Sequence, residues 1–323
     1  MLNLATFRVE KMISLGFAPE RTVLRPKSRD AYVLSQDGAV AVIQFPALSI
    51  RARLNLGRGL TAFVISPDGT SAYAAVRSRR KIYRIDCAGA RVTSAYGAEA
   101  PVSDLAISPD GKTLLAHESE GGKLLLLDAG TGKISAALDA GKGGGPVVIL
   151  PRGQKAFVAS SSDDEVTAVD LTTRQVLSHI EIGSGATLLA LKPDGGEIAA
   201  LSRPDSTLTL LDAFHDDLEQ SITTGSEPDA AVFTRDSRVL FIANAGDGTV
   251  TKLDFNNRKV LALTRTGMQP RALALTPDER FLAVADTGSD TVSVVRASTG
   301  DLVTAVSIGQ KPVDVVVPDW LPQ

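Results

Sequence analysis

SDLAISPDGKTLLAHESEGGKLLLLDAGTGKISAALDAG, residues 103–141, is the stretch whose reading decides the fold. Ser103 to Ile107 is a short apolar run that predicts a first strand, a. Ser108-Pro109-Asp110-Gly111 follows, with proline presetting φ and glycine free to adopt φ > 0, so a tight turn is expected. Thr113 to Ala116 predicts strand b, Glu118 to Gly122 a polar loop, and Lys123 to Leu127 strand c. Asp128-Ala129-Gly130-Thr131-Gly132 reads as a second hairpin, whose carboxylate accepts backbone N–H bonds. Ile134 to Leu138 completes the unit as strand d, and Gly141 opens the connection onward. The apolar runs are too short for helices, and Gly, Pro and Asp bound each one.

This unit is copied along the chain. The turn proline recurs at Pro67, Pro109, Pro151, Pro193 and Pro277, a step of 42 residues, with Arg235 filling the gap. Asp86, Asp128, Asp170, Asp212 and Asp254 keep the same beat. One four-stranded sheet of this size cannot bury both its faces. Stacking each sheet against its neighbours does so, and closing the stack into a ring removes the exposed ends. The expected fold is therefore all-β: a seven-bladed β-propeller of four-stranded antiparallel blades, filling residues 1–323 as one domain. Residues 7–15 and 312–317 are left over as one strand at each terminus, and are expected to meet where the ring closes.

Composition narrows the function classes. The formal net charge of −3 gives no bulk electrostatic case for nucleic acid or an anionic membrane. No apolar run reaches the length of a spanning helix. The charged start MLNLATFRVEKMISLG does not read as a signal peptide, so a cytoplasmic location is expected, or periplasmic or extracellular if a leader has been removed. Cys87 is the single cysteine, which excludes an intrachain disulfide. Aromatic residues make up 5% of the chain, too few for base stacking or a sugar-stacking face.

The repeat resembles the YVTN family of β-propellers. Ser66-Pro67-Asp68-Gly69, Phe241-Ile242-Ala243-Asn244, Val166-Thr167-Ala168-Val169-Asp170 and Thr299-Gly300 carry the likeness, with Gly-x-x-Pro at Gly225/Pro228, Gly267/Pro270 and Gly309/Pro312. The resemblance covers nearly the whole chain and implies the fold. A fainter likeness to lactonase-type seven-bladed propellers lies in Gly267-Met268-Gln269-Pro270-Arg271, although Ala272 stands where that segment has histidine. Families of this fold host unrelated activities.

Candidate site residues lie where the copies disagree, on the rim formed by the b–c loops and the d-to-a connections. Nine residues after each turn proline stand Ser35, Val76, Glu118, Ser160, Ser202, Asn244 and Asp286, which are expected to ring the channel mouth. Arg21, Asp104, Asp229, Arg271 and Asp314 begin the inner strands near the same mouth. The b–c loop of blade 2 is basic through Arg77, Arg79 and Arg80, where other blades carry acids, so an anion or acidic partner fits it. Lys142-Gly143-Gly144-Gly145-Pro146 lacks the strand–loop–helix setting of a phosphate loop and reads as a flexible connector.

No zinc or calcium spacing is present, and no cofactor is expected. His117, beside Glu118, is the one histidine expected to face the rim; His179 and His215 read as surface residues. The favoured function is a non-catalytic binding propeller that takes a protein or small-molecule partner through Arg77, Arg79, Arg80, Glu118, Asn244, Arg271 and Asp286. The alternative is a lactonase-like hydrolase using His117 and Arg271 on a small polar or sugar-derived lactone.

Overall fold

A computed structural model describes residues 1–319. Seven four-stranded antiparallel sheets follow one another along the chain, over residues 21–55, 60–97, 102–139, 147–181, 188–223, 228–265 and 270–307. We call them blades 1 to 7, with strands a to d running outward in chain order. In blade 3 these are Val102–Ile107, Thr113–Glu118, Lys123–Asp128 and Ile134–Asp139. The only helix among the described residues is a single 3₁₀ turn, Arg77–Arg79.

The core lies between the blades. Strand b of blade 2, Ser71–Val76, is buried along its whole length. Strand d of blade 1 instead alternates exposed and half-buried residues. A central strand is covered by a neighbour on both faces, whereas an outer strand is covered on one. The apolar clusters accordingly bridge successive blades. Tyr32 and Phe63 join blades 1 and 2, Phe157 and Ile198 join blades 4 and 5, and Phe241 and Val284 join blades 6 and 7. Full burial of such side chains stabilises by about 1.5–3 kcal/mol each.

Polar staples add to this packing. The hydroxyls of Tyr73 and Tyr96 in blade 2 both donate to Ala129 O in the c–d turn of blade 3, at 2.9 and 3.0 Å. Arg51 in blade 1 donates to Cys87 O and Ala88 O of blade 2, at 2.9 and 2.7 Å. Lys155 in blade 4 reaches Ala213 O of blade 5, at 3.0 Å.

The a–b turns form as their sequence requires. Ser108 Oγ donates to Asp110 Oδ1 at 2.5 Å and accepts from the Thr113 amide at 2.9 Å. Gly111 sits at φ +71°, where a side chain would be strained.

The termini differ from expectation. Residues 7–15 do not form an outer strand. Leu2–Asn3 and Arg8–Val9 pair as a small hairpin, and no strand follows until Arg21. Residues 312–318 form no strand either. The two ends still close the ring. Ile13, Leu15 and Phe17 recur every second residue and pack on Ala41 and Ile43 of blade 1, where a neighbouring blade would lie. The Phe7 ring meets Phe281 of blade 7 edge-on at 6.1 Å. Asp314 Oδ2 accepts the Thr22 amide of blade 1 at 2.5 Å, as Asp104 Oδ2 accepts Val147 N of the next blade at 2.9 Å. Among the described residues, closure is thus made by side chains and apolar contacts, with no strand ladder between the ends.

Candidate functional site

The mouth is shaped by bulges. In four blades, strand a carries one extra residue near its start, opposite an unbroken strand b. The extra residues are Thr61, Ser103, Asp229 and Arg271, all in phase with the 42-residue repeat. A bulged residue has no cross-strand partner, and its side chain is re-aimed out of the ladder. This step separates residues that look alike in sequence. Asp229 and Arg271 are bulged, whereas Asp104 is the next residue along and turns between blades to the Val147 amide. Burial pushes the Asp104 carboxyl up, and the amide bonds from Val147 and Leu105 oppose that shift.

Over blades 1 to 3 and the connector that follows blade 3, the rim holds a cavity of about 480 Å³. Thr61 and Ser103 form part of its wall, with Arg58, Arg77, Glu20 and Ser119 around them. Arg58 pairs loosely with Asp37 at 3.6 Å. The Arg77 guanidinium has no hydrogen bond or ion pair among the described residues, so its donors are open to a ligand. Across the mouth Arg203 pairs with Glu227 at 2.8 Å and Asp229 at 3.4 Å, and Arg271 lies 3.7 Å from Asp229.

The residues expected as one site are dispersed. Arg79 donates to the Tyr83 hydroxyl at 3.0 Å, and Arg80 to Glu99 O at 3.2 Å, so both turn back onto their own protein. Of the three loop arginines, Arg77 alone lines the cavity.

Glu118, Asn244 and Asp286 do not ring the open mouth; they are 2, 0 and 0% exposed. Each is the last residue of strand b, second from the axis, and the d-to-a connector runs over it. Glu118 Oε1 accepts the Ala100 amide of that connector at 2.9 Å. A Cβ on Gly225 or Gly267 would come within 2.5 Å of Asn244 or 2.6 Å of Asp286, which explains the glycine of Gly-x-x-Pro. Asn244 Nδ2 donates to the hydroxyls of Thr249 and Thr251, at 3.0 and 2.9 Å. Asp286 Oδ2 accepts from Thr291 and Ser293, at 3.2 and 2.6 Å. Burial pushes the Asp286 carboxyl up, and the Ser293 hydroxyl opposes it.

His117 is also fully buried. Its Nε2 lies 3.0 Å from Gly141 O and its Nδ1 3.4 Å from Gly145 O. It does not meet Arg271, which pairs with Asp229 three blades away. His179 and His215 are exposed, the latter 2.6 Å from Asp212. Among the described residues no cluster of His, Cys, Asp or Glu is arranged to hold a metal ion. The sequence reading missed Thr61, Ser103 and Arg58. Their signal was position, six residues before a turn proline for the first two, yet no local pattern marks a bulge.

Residues 195–317, spanning blades 5 to 7, match the family model described as "Lactonase, 7-bladed beta-propeller". The likeness is to seven-bladed propellers of the lactonase type. No curated protein matches the sequence. Solved structures match the fold along most of the chain. Dihydro-heme d1 dehydrogenase NirN superposes with a TM-score of 0.80 at 16% identity, covering 96% of this chain and 71% of that one. A functionally unknown protein from Desulfotomaculum acetoxidans gives 0.70 at 16% identity, covering 90% of this chain and 100% of that one. Hydrazine synthase of Kuenenia stuttgartiensis gives 0.64 at 18% identity, covering 80% and 90%. At these identities the likeness speaks for the fold alone.

Proposed function

We propose that this lactonase-type propeller is a binding protein that takes a small polar anion at the channel mouth. The observation that carries this reading is Arg77: an unpaired guanidinium on the wall of a cavity whose volume suits a small molecule. A guanidinium fork matches a carboxylate or phosphate, while the bulged Thr61 and Ser103 beside it already donate to Val102 O and His117 O, so their oxygens are left to accept from hydroxyl groups of the ligand. Calorimetric titration with citrate, gluconate and inorganic phosphate tests it. Arg77→Ala is expected to weaken binding about tenfold or more, from the loss of a charged hydrogen bond of about 1.5–3 kcal/mol. Arg79→Ala, which removes the same charge from a side chain engaged by Tyr83, is the control. Affinity unchanged in Arg77→Ala would remove this cavity from the reading.

The family match over blades 5 to 7 favours a second reading, hydrolysis of a small lactone at the same mouth. Arg271 and Asp229 would be the groups involved, both bulged toward the mouth and inside the matched segment. His117, enclosed under a connector, would take no part. Turnover of glucono-lactone that exceeds the buffer rate and falls in Arg271→Ala supports hydrolysis; a rate equal to buffer rejects it.

A further inference from the structure

The connector over residues 141–146, GKGGGP, has almost no conformational preference of its own, with Gly141, Gly143 and Gly144 at φ +82°, +91° and +75°. It is nevertheless fixed against the mouth. Gly143 lines the cavity, and its amide donates to Ser119 O at 2.8 Å. His117 grips both ends of this strap, with Nε2 on Gly141 O and Nδ1 on Gly145 O. Both partners are carbonyl oxygens, which only accept. A neutral imidazole donates from one nitrogen; the imidazolium donates from two.

We propose that His117 is a proton-operated clamp on the 141–146 strap. The doubly protonated ring holds both ends. Loss of one proton releases the weaker contact, at Gly145, and loosens the wall of the cavity. The proposal stands independently of what the mouth binds.

Charged groups face the ring from every neighbouring element. Asp104 lies directly across the ladder from His117 on strand a. The ring lowers the Asp104 carboxyl, opposing the push of burial. Arg21 of blade 1 acts on Asp104 in the same sense. Glu118, the next residue on strand b, is turned to the Ala100 amide. From blade 4, Glu165 faces Gly141, and Asp163 accepts the Lys142 amide at 2.6 Å. Lys142 itself is the one cation in the strap. Acids therefore outnumber bases around the ring.

Hydrogen exchange of the intact protein, corrected for the chemical exchange rate, reads the strap directly from about pH 5.5 to about pH 8.5. Protection of the Gly143 and Ser161 amides, which bond Ser119 O and Gly144 O, is expected to fall about tenfold as pH rises. Blade 7 amides are expected not to change. His117→Gln, a neutral donor at every pH, is expected to show no such dependence. Asp104→Asn still accepts the Val147 amide but lacks the charge, so it is expected to move the loosening to lower pH. Protection independent of pH in the wild type, or unchanged pH dependence in His117→Gln, would overturn the clamp. So would Asp104→Asn leaving the midpoint unmoved, or abolishing the transition and making Asp104 the titrating group. The Asp104→Asn arm decides even if His117→Gln does not fold.

Discussion

Asp286 and Asn244 occupy the same place in successive blades and carry opposite hydrogen-bond polarity. The amide gives two hydrogens to the hydroxyls of strand c, whereas the carboxylate takes them. The Thr266 hydroxyl and the Gly267 amide lie against the same carboxyl and act to lower it, although neither Asp286 Oδ1 nor Thr266 Oγ1 completes a well-aligned hydrogen bond among the described residues. The folded carboxyl is raised by burial, so the native state binds more protons than the unfolded chain across that window. Its contribution is most favourable in acid and declines as pH rises through the folded value. Asp286→Asn is therefore expected to raise Tm by about 2 °C near neutrality, with the gain vanishing in acid. Differential scanning fluorimetry across pH checks this. The reverse change, Asn244→Asp, is expected to lower Tm near neutrality.

Strands and turns carry the repeat in different ways, and this governs what could be read beforehand. The a–b turns were legible because proline, aspartate and glycine each do one local job. The hydroxyl of Ser108 holds the Asp110 carboxyl below the usual carboxylate range, helped by the Lys112 amide. A depressed folded value stabilises above the unfolded value and is lost as pH falls through the folded one. Ser108→Ala is expected to destabilise by about 1 kcal/mol near neutrality, and its deficit in Tm to shrink in acid. The strand count was legible for the same reason, since each run has turn residues at both ends. The bulges were not. Every strand d carries one too, at Arg51, Thr93 and Ser135 in blades 1 to 3 and onward in phase to Val303. A bulge is a property of two strands together, so Arg271 and Ala272 cannot be told apart from one strand alone. Burial of Glu118, Asn244 and Asp286 was hidden likewise, because polar residues at a strand end read as solvated until the connector above them is seen. Arg51 shows what an outer bulge can hold: Arg51→Met is expected to cost about 2 kcal/mol by freeing Cys87 O and Ala88 O, measured by urea unfolding.

At the scale of the whole molecule, six junctions join blade to blade, and the remaining one is filled by the two ends of the chain. Deletion of residues 1–17 is expected to bare Ala41 and Ile43 and to lower stability by about 3 kcal/mol, with Asp314 still holding Thr22. Urea unfolding of the shortened chain checks this; an unchanged midpoint would mean that the N-terminal segment covers blade 1 without stabilising the ring. The inner bulges have a different reach. Thr61, Ser103, Asp229 and Arg271 stand outside the ladder of cross-strand pairs, so replacing any one of them breaks no cross-strand pair and costs at most a side-chain contact such as Thr61 to Val102 O. A lineage can therefore rewrite its chemical preferences one position at a time and retain a working scaffold at each step, which gives this ring of near-identical parts its capacity to diverge.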